Sequence, residues 1–116
     1  MKLGHLEIFA QNPLELQAFY RDILGFDLVT IQNEQFFWLK NGQLEILIRP
    51  GHKQTAANRY EDTNVGFVIY TDNVEQRLAH LQEKGVKMKG IVDSEKCYTF
   101  TDPAGNWFQL VNPNDH

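Results

Sequence analysis

The chain is poor in the features that mark several large protein classes. It has one cysteine, Cys97, so no internal disulfide can form and a disulfide-stapled secreted scaffold is excluded. Eleven Lys and Arg face fifteen Asp and Glu, a net charge of −4. No basic stripe stands ready for phosphates, so no nucleic-acid partner is expected. The opening stretch MKLGHLEIFA is interrupted by His5 and Glu7, and no long apolar run follows. Neither a signal peptide nor a membrane span is expected, and the expected location is cytoplasmic. There is no Gly-rich phosphate loop. Cys97 has no neighbouring base in sequence, which favours a packing role over a nucleophilic one.

What the chain does have is length, aromatic content and a repeat. Its 116 residues suit one domain, or two small halves with a common core, and a chain of this size buries roughly 65% of its unfolded surface. Aromatics make up 12%, enough to line a pocket as well as fill an interior.

The repeat is seen first in two helices. In NPLELQAFYRDILG, Asn12 is an N-cap, Pro13 suits the first helical position and Glu15 completes a capping box. Leu16, Phe19, Tyr20 and Ile23 then fall on one apolar face, and Gly25 supplies a left-handed stop. NVEQRLAHLQEKG has the same build, with Asn73 as cap, Val74, Leu78 and Leu81 as the buried stripe and Gly85 as stop. A strand precedes each helix: LGHLEIF (3–9) and NVGFVIYT (64–71). Gly66, Val68 and Tyr70 take the places of His5, Glu7 and Phe9. Three short strands are expected after each helix. They are FDLVTI, QFFWLK and QLEILIR in the first half, with an Asn41-Gly42 hairpin signal, and VKMKGIV, KCYTFT and WFQLV in the second. Asp102-Pro103-Ala104-Gly105 has the residues of a type I turn. The expected fold is therefore α+β: a first βαβββ module over 1–50, a polar linker over 51–63 and a second module over 64–116. Two equivalent four-stranded sheets are expected to form a shared cavity.

Two βαβββ modules, FYRDILGF closing the first helix and DPAGNWFQLVNP closing the chain resemble the vicinal oxygen chelate superfamily. That group includes glyoxalase I, extradiol dioxygenases and the fosfomycin- and bleomycin-resistance proteins. The resemblance covers about residues 3–113 and is specific for fold rather than reaction. It implies that the first and last strands of each module carry ligands to a divalent cation. Carried over, those positions are His5, Glu45, Gly66 (or Val65 in a slipped register) and Gln109. Gln109 stands where metal-using relatives usually carry Glu, although some glyoxalases use a Gln ligand.

One imidazole, one carboxylate, one amide and one residue without a donor side chain make an incomplete site for zinc, nickel, manganese or iron. The first expectation is therefore no cofactor, with such an ion as the alternative. His5 has a second reading, as a hydrogen-bonding residue that orients Glu45 or Gln109. Glu45 would be costly in an apolar strand unless it faces a wet cavity or pairs with a neighbour such as His5. Glu7 shares the face of His5 and either replaces a ligand or lines the pocket. His52, His80 and His116 are expected to be solvated.

By alternation the cavity side collects Phe9, Leu47, Tyr70, Trp107 and Val111, joined by Trp38, around His5, Glu7, Glu45 and Gln109. Such an apolar pocket with a few convergent polar groups suits a small-molecule ligand, although the same side chains would also serve as simple filling between sheets. Arg49 and Arg59 are candidates to hold an anionic group at the rim. Two functions follow. The first is a small-molecule binder of the bleomycin-resistance type, a homodimer with an aromatic, mildly acidic cavity. The second is a metal-dependent lyase, isomerase or dioxygenase resembling the glyoxalase group, with Glu45 as the proton-transfer base. A member whose cavity has closed and which contacts another protein ranks last.

Overall fold

Side chains alternate along Leu6–Ala10 (β1), so Ile8 and Ala10 are buried while Glu7 and Phe9 are not. The computed structural model describes residues 1–52, 55–93 and 97–115. It divides into two units, Met1–Gln54 and Thr55–His116.

In the first unit β1 leads to helix α1, Pro13–Asp22. The Asn12 side chain accepts the backbone N–H of Glu15 at 3.2 Å, satisfying a donor that the helix itself leaves free. Gly25, at φ 78, lets the chain turn back so that the N–H of Phe26 reaches the carbonyl of Tyr20. Strands Asp27–Gln32 (β2), Phe36–Asn41 (β3) and Leu44–Pro50 (β4) follow. Asn41 pairs with Leu44, which leaves Gly42 first in a two-residue loop, at φ 58, where glycine is favoured.

The sheet order is β1-β4-β3-β2, with β1 parallel to β4 and the other pairs antiparallel. Glu7 lies opposite Leu47, Phe9 opposite Arg49 and Trp38 opposite Leu47. One face of the sheet therefore carries Glu7, Phe9, Trp38, Glu45, Leu47 and Arg49. The other carries Ile8, Phe37, Leu39, Ile46 and Ile48, all buried, and α1 packs on this sheet through β1, β3 and β4. Each such side chain contributes about 1.5–3 kcal/mol on leaving water.

The second unit has strands Gly66–Tyr70 (β5), Tyr98–Thr101 (β6) and Trp107–Val111 (β7), helix α2 over Val74–Glu83, and a short 3-10 turn over Tyr60–Asp62. The sheet order is β5-β7-β6. Phe67, Phe108 and Phe100 stack across the three strands, with centroid separations of 5.0 and 5.1 Å. The strand expected over 86–92 does not form. Gly90 takes φ 116 and Asp93 φ 63, which breaks the extended backbone. Only Ile91 bridges Tyr98, although the N–H of Lys89 still reaches the carbonyl of Thr99. Among the described residues the second sheet thus has three strands rather than four. Lys96, at the start of the expected KCYTFT strand, lies outside the described residues, as does His116.

The DPAG turn is held by a buried carboxylate. Asp102 accepts the N–H groups of Ala104 and Asn106 and the side-chain amide of Asn106, at 3.0, 2.9 and 2.8 Å. The architecture is α+β, with tandem βαβββ-type modules of which the second has one regular strand fewer. Among the described residues, no helix is long and apolar enough to cross a membrane.

Candidate functional site

His5 sits one residue before β1, and its Nε2–H donates to Glu7 at 2.8 Å. The other Glu7 oxygen accepts Arg49 Nη1 at 3.0 Å. His5 and Arg49 together hold the Glu7 carboxyl below its ordinary pKa, the His5 hydrogen bond being the larger cause. Parity explains why the three meet: residues 5, 7 and 49 project from the same sheet face, and Phe9 is opposite Arg49.

Aromatic rings surround this polar line. The Arg49 guanidinium lies 5.3 Å from the Phe9 ring centroid and 5.1 Å from that of Phe36, a cation–π clamp on two sides. Trp38 meets His5 edge-on, with centroids 4.8 Å apart, and its indole N–H donates to Gln32 at 3.0 Å. Trp38 is half-buried and Phe9 is 52% exposed, so both keep ring surface available. Leu47 is buried beneath them. Glu45 is half-buried and, among the described residues, its side chain has no hydrogen bond or ion pair. The expected partner of His5, either Glu45 or Gln109, is therefore replaced by Glu7. Arg49 is singled out by geometry that the sequence did not show, and Phe36 was missed. Alternation along β3, which sets Phe36 on the face of Trp38, was the available signal.

In the second unit Gln109 is 5% exposed. Its Nε2–H donates to the hydroxyl of Tyr60 at 3.1 Å, while its Oε1 is buried without a partner among the described residues. Gly66 explains how Tyr60 gets there. A Cβ at position 66 would collide with the Tyr60 hydroxyl and come within 2.7 Å of Cζ. The missing side chain is the space that the phenol fills.

The repeat places Gly66 beside Gln109, but β5 and β7 pair Gly66 with Trp107 and Val68 with Gln109. The amide is two residues further along the ladder, on the same face. Trp107 and Val111, expected to line a cavity, are buried. The Trp107 indole N–H is spent on the carbonyl of Ala57 at 2.8 Å, and Lys89 stands 5.7 Å from its ring centroid. Residues expected to act only as linker cover this face of the sheet: Ala56 against Gly105, Ala57 on Trp107, and Tyr60 on Gly66 and Gln109. Tyr60 is the functional residue that sequence reasoning missed, and its signal was a lone aromatic in the polar stretch GHKQTAANRYEDT. Tyr70 is 71% exposed. Arg59 pairs with Asp62 at 3.0 Å, which raises its pKa, so it is committed within its own turn. His52 is exposed and His80 half-buried on α2.

Of the four marked positions, His5 and Gly66 do not fit a metal ion, whereas the Glu45 carboxylate has no partner among the described residues. His5 directs Nε2 at Glu7, Gly66 offers no donor, and the phenol of Tyr60 takes the space beside it. Among the described residues, no group of three or more His, Cys, Asp or Glu is placed to hold one.

Comparison with known proteins agrees with this architecture. The chain is similar in structure to a lactoylglutathione lyase from Agrobacterium tumefaciens, at 19% identity and TM-score 0.72, covering 97% of this chain and 93% of that one. It is similar to TnmS3, an antibiotic binding protein from Streptomyces sp. CB03234, at 21% identity and TM-score 0.73, covering 97% of each chain. It is also similar to a mutant of the fosfomycin resistance protein FosX from Listeria monocytogenes, complexed with Mn(II), at 18% identity and TM-score 0.75, covering 94% and 87%. No curated protein sequence matches. Residues 2–110 match the family described as Glyoxalase/Bleomycin resistance protein/Dioxygenase superfamily, and the chain belongs to that superfamily.

Proposed function

We propose that this protein binds a small molecule on the face of the first sheet that carries Glu7, Phe9, Trp38 and Arg49, without a complete catalytic metal site. One observation carries the reading: the imidazole at the first marked position is already tied to Glu7, so a metal would have to break the His5–Glu7–Arg49 line to recruit it. The remaining surface suits a flat organic ligand. Trp38 and Phe9 supply ring area, and Glu45 supplies a carboxylate with no partner among the described residues, suited to a cationic group. The antibiotic-binding relative has this kind of role, and here it is an expectation for the chain.

Homodimer formation in the cytoplasm belongs to the same proposal. The exposed side chains of Phe9, Val68 and Tyr70 and the buried single thiol of Cys97 support it. Sedimentation at micromolar concentration reads the oligomer directly.

The test is titration with planar cationic antibiotics, followed by intrinsic fluorescence in the parent and in Trp38→Phe. Saturable quenching that depends on Trp38 supports the reading. Absence of any response across the set, confirmed by calorimetry, removes it. A second reading, a divalent-metal lyase or isomerase with Glu45 as base, is favoured by the unpartnered Glu45 carboxylate. Equilibrium dialysis against nickel, zinc, manganese and iron separates the two, since stoichiometric retention would support the second.

A further inference from the structure

The face of the second sheet holds a polar pair that the aromatic site does not use. Gln109 is more than nine-tenths buried, yet among the described residues its Oε1 has no hydrogen-bond partner. A buried carbonyl left in that state is costly and marks a place where a partner is missing. Its Nε2–H donates to Tyr60 Oη at 3.1 Å. A phenol that accepts still has its own O–H to give, and among the described residues the Tyr60 hydroxyl has no second partner.

We propose that Tyr60 and Gln109 form a hydrogen-bonding subsite for a neutral amide, a lactam or other group carrying an N–H beside a C=O. The ligand N–H donates to Gln109 Oε1 and its carbonyl accepts from Tyr60 O–H. Turning the Gln109 amide round gives the same result. The phenol then donates to Oε1, leaving a free Nε2–H and a free lone pair on the phenol oxygen. In both orientations the pair presents one donor and one acceptor side by side, and a cis-amide edge complements either.

The surroundings favour a neutral group. Val68 and Thr99 flank Gln109 in the ladder, and the Thr99 hydroxyl is already spent on the carbonyl of Gly90. Trp107, on the same sheet face two residues before Gln109, has its N–H spent on the carbonyl of Ala57. Gly66 sets the clearance, because any side chain there would displace the phenol. Tyr60 is half-buried rather than buried, so the pair is reached from the side of Tyr60. The subsite rests on the reading of this chain as a small-molecule binder.

The probes are 2-pyrrolidone, a lactam, and cyclopentanone, its ring analogue without the N–H. Both are titrated into 15N-labelled protein while the Gln109 side-chain amide resonances are followed. The expected result is a saturable shift of those resonances by 2-pyrrolidone, with cyclopentanone binding about tenfold more weakly, the typical effect of leaving one buried acceptor unpaired. Tyr60→Phe keeps the ring and Gln109→Met keeps the length; with the backbone amides of Val68 and Thr99, which flank position 109, as reporters in the second variant, each brings 2-pyrrolidone down to the cyclopentanone level. Equal binding of the two probes overturns the proposal. So does binding unaffected by both variants, or no shift at all, which would assign Oε1 to a buried water. The aromatic-ligand titration read at Trp38 is separate. If it succeeds while the lactam fails, only the subsite is lost; if it fails while the lactam binds, only the wider reading is lost.

Discussion

The hydroxyl of Tyr60 and the amide of Gln109 are joined at 3.1 Å across a glycine whose missing side chain makes the contact sterically allowed. A residue from the polar stretch between the modules thereby packs, half-buried, against the face of the second sheet. The coupling between positions 60 and 66 is directly measurable. Gly66→Ala forces the phenol away and breaks its bond to Gln109, which costs about 1 kcal/mol, the net worth of a typical hydrogen bond. In a Tyr60→Ala background the same substitution has nothing to displace. Denaturant unfolding of the four proteins in the cycle is expected to give a coupling energy of about 1 kcal/mol; strict additivity would show that the contact is absent.

Glu7 carries the pH prediction. Its folded pKa is lowered by the hydrogen bond from His5 and then by that from Arg49. A lowered carboxyl contributes stability that is present above the unfolded value, ordinarily about 4.3 for Glu, and lost as pH falls through the folded one. Carboxyl-resolved NMR titration is expected to place Glu7 below that reference. His5→Ala is expected to move it upward more than Arg49→Leu does.

Asp102 is expected to be the most sensitive turn residue. Its carboxylate is buried and accepts three hydrogen bonds within Ala104–Asn106. Asp102→Ala removes all three and costs about 3 kcal/mol. Asp102→Asn keeps an oxygen for the two backbone donors and costs less. Thermal unfolding of the two variants ranks them, and equal loss would mean that charge rather than geometry holds the turn.

The β2–β3 connection contains a stabilising opportunity. Asn33 and Glu34 both have positive φ, 51 and 61. Asn tolerates that region, whereas Glu gains nothing from its side chain there. Glu34→Gly is expected to raise stability by about 0.5–1 kcal/mol, because glycine enters this conformation without penalty. A fall in the unfolding midpoint would contradict it.

Much of the fold was legible because its determinants are local. Asn12 and Asn73 cap their helices through the backbone N–H three residues on, and Gly25 and Gly85 take the positive φ that their stops require. The segment over 86–92 failed as a strand for an equally local reason, the positive φ at Gly90, although alternation alone gave no warning of it. The candidate site was legible in part. Alternation set His5, Glu7 and Phe9 on one face, and β-register then decided which of them touch. His5 found Glu7, two residues away, rather than Glu45 or Gln109.

The sequence by itself determined both helices, the strands other than the one expected over 86–92, and which face each presents, because caps, stops and periodicity act over a few residues. Tertiary structure alone decided that Tyr60 would fill the space beside Gly66, that Trp107 would be buried under Ala57, and that Arg49 would lie between Phe9 and Phe36. Those outcomes depend on how separate segments come together and compete for the same volume, and no spacing along the chain encodes that competition.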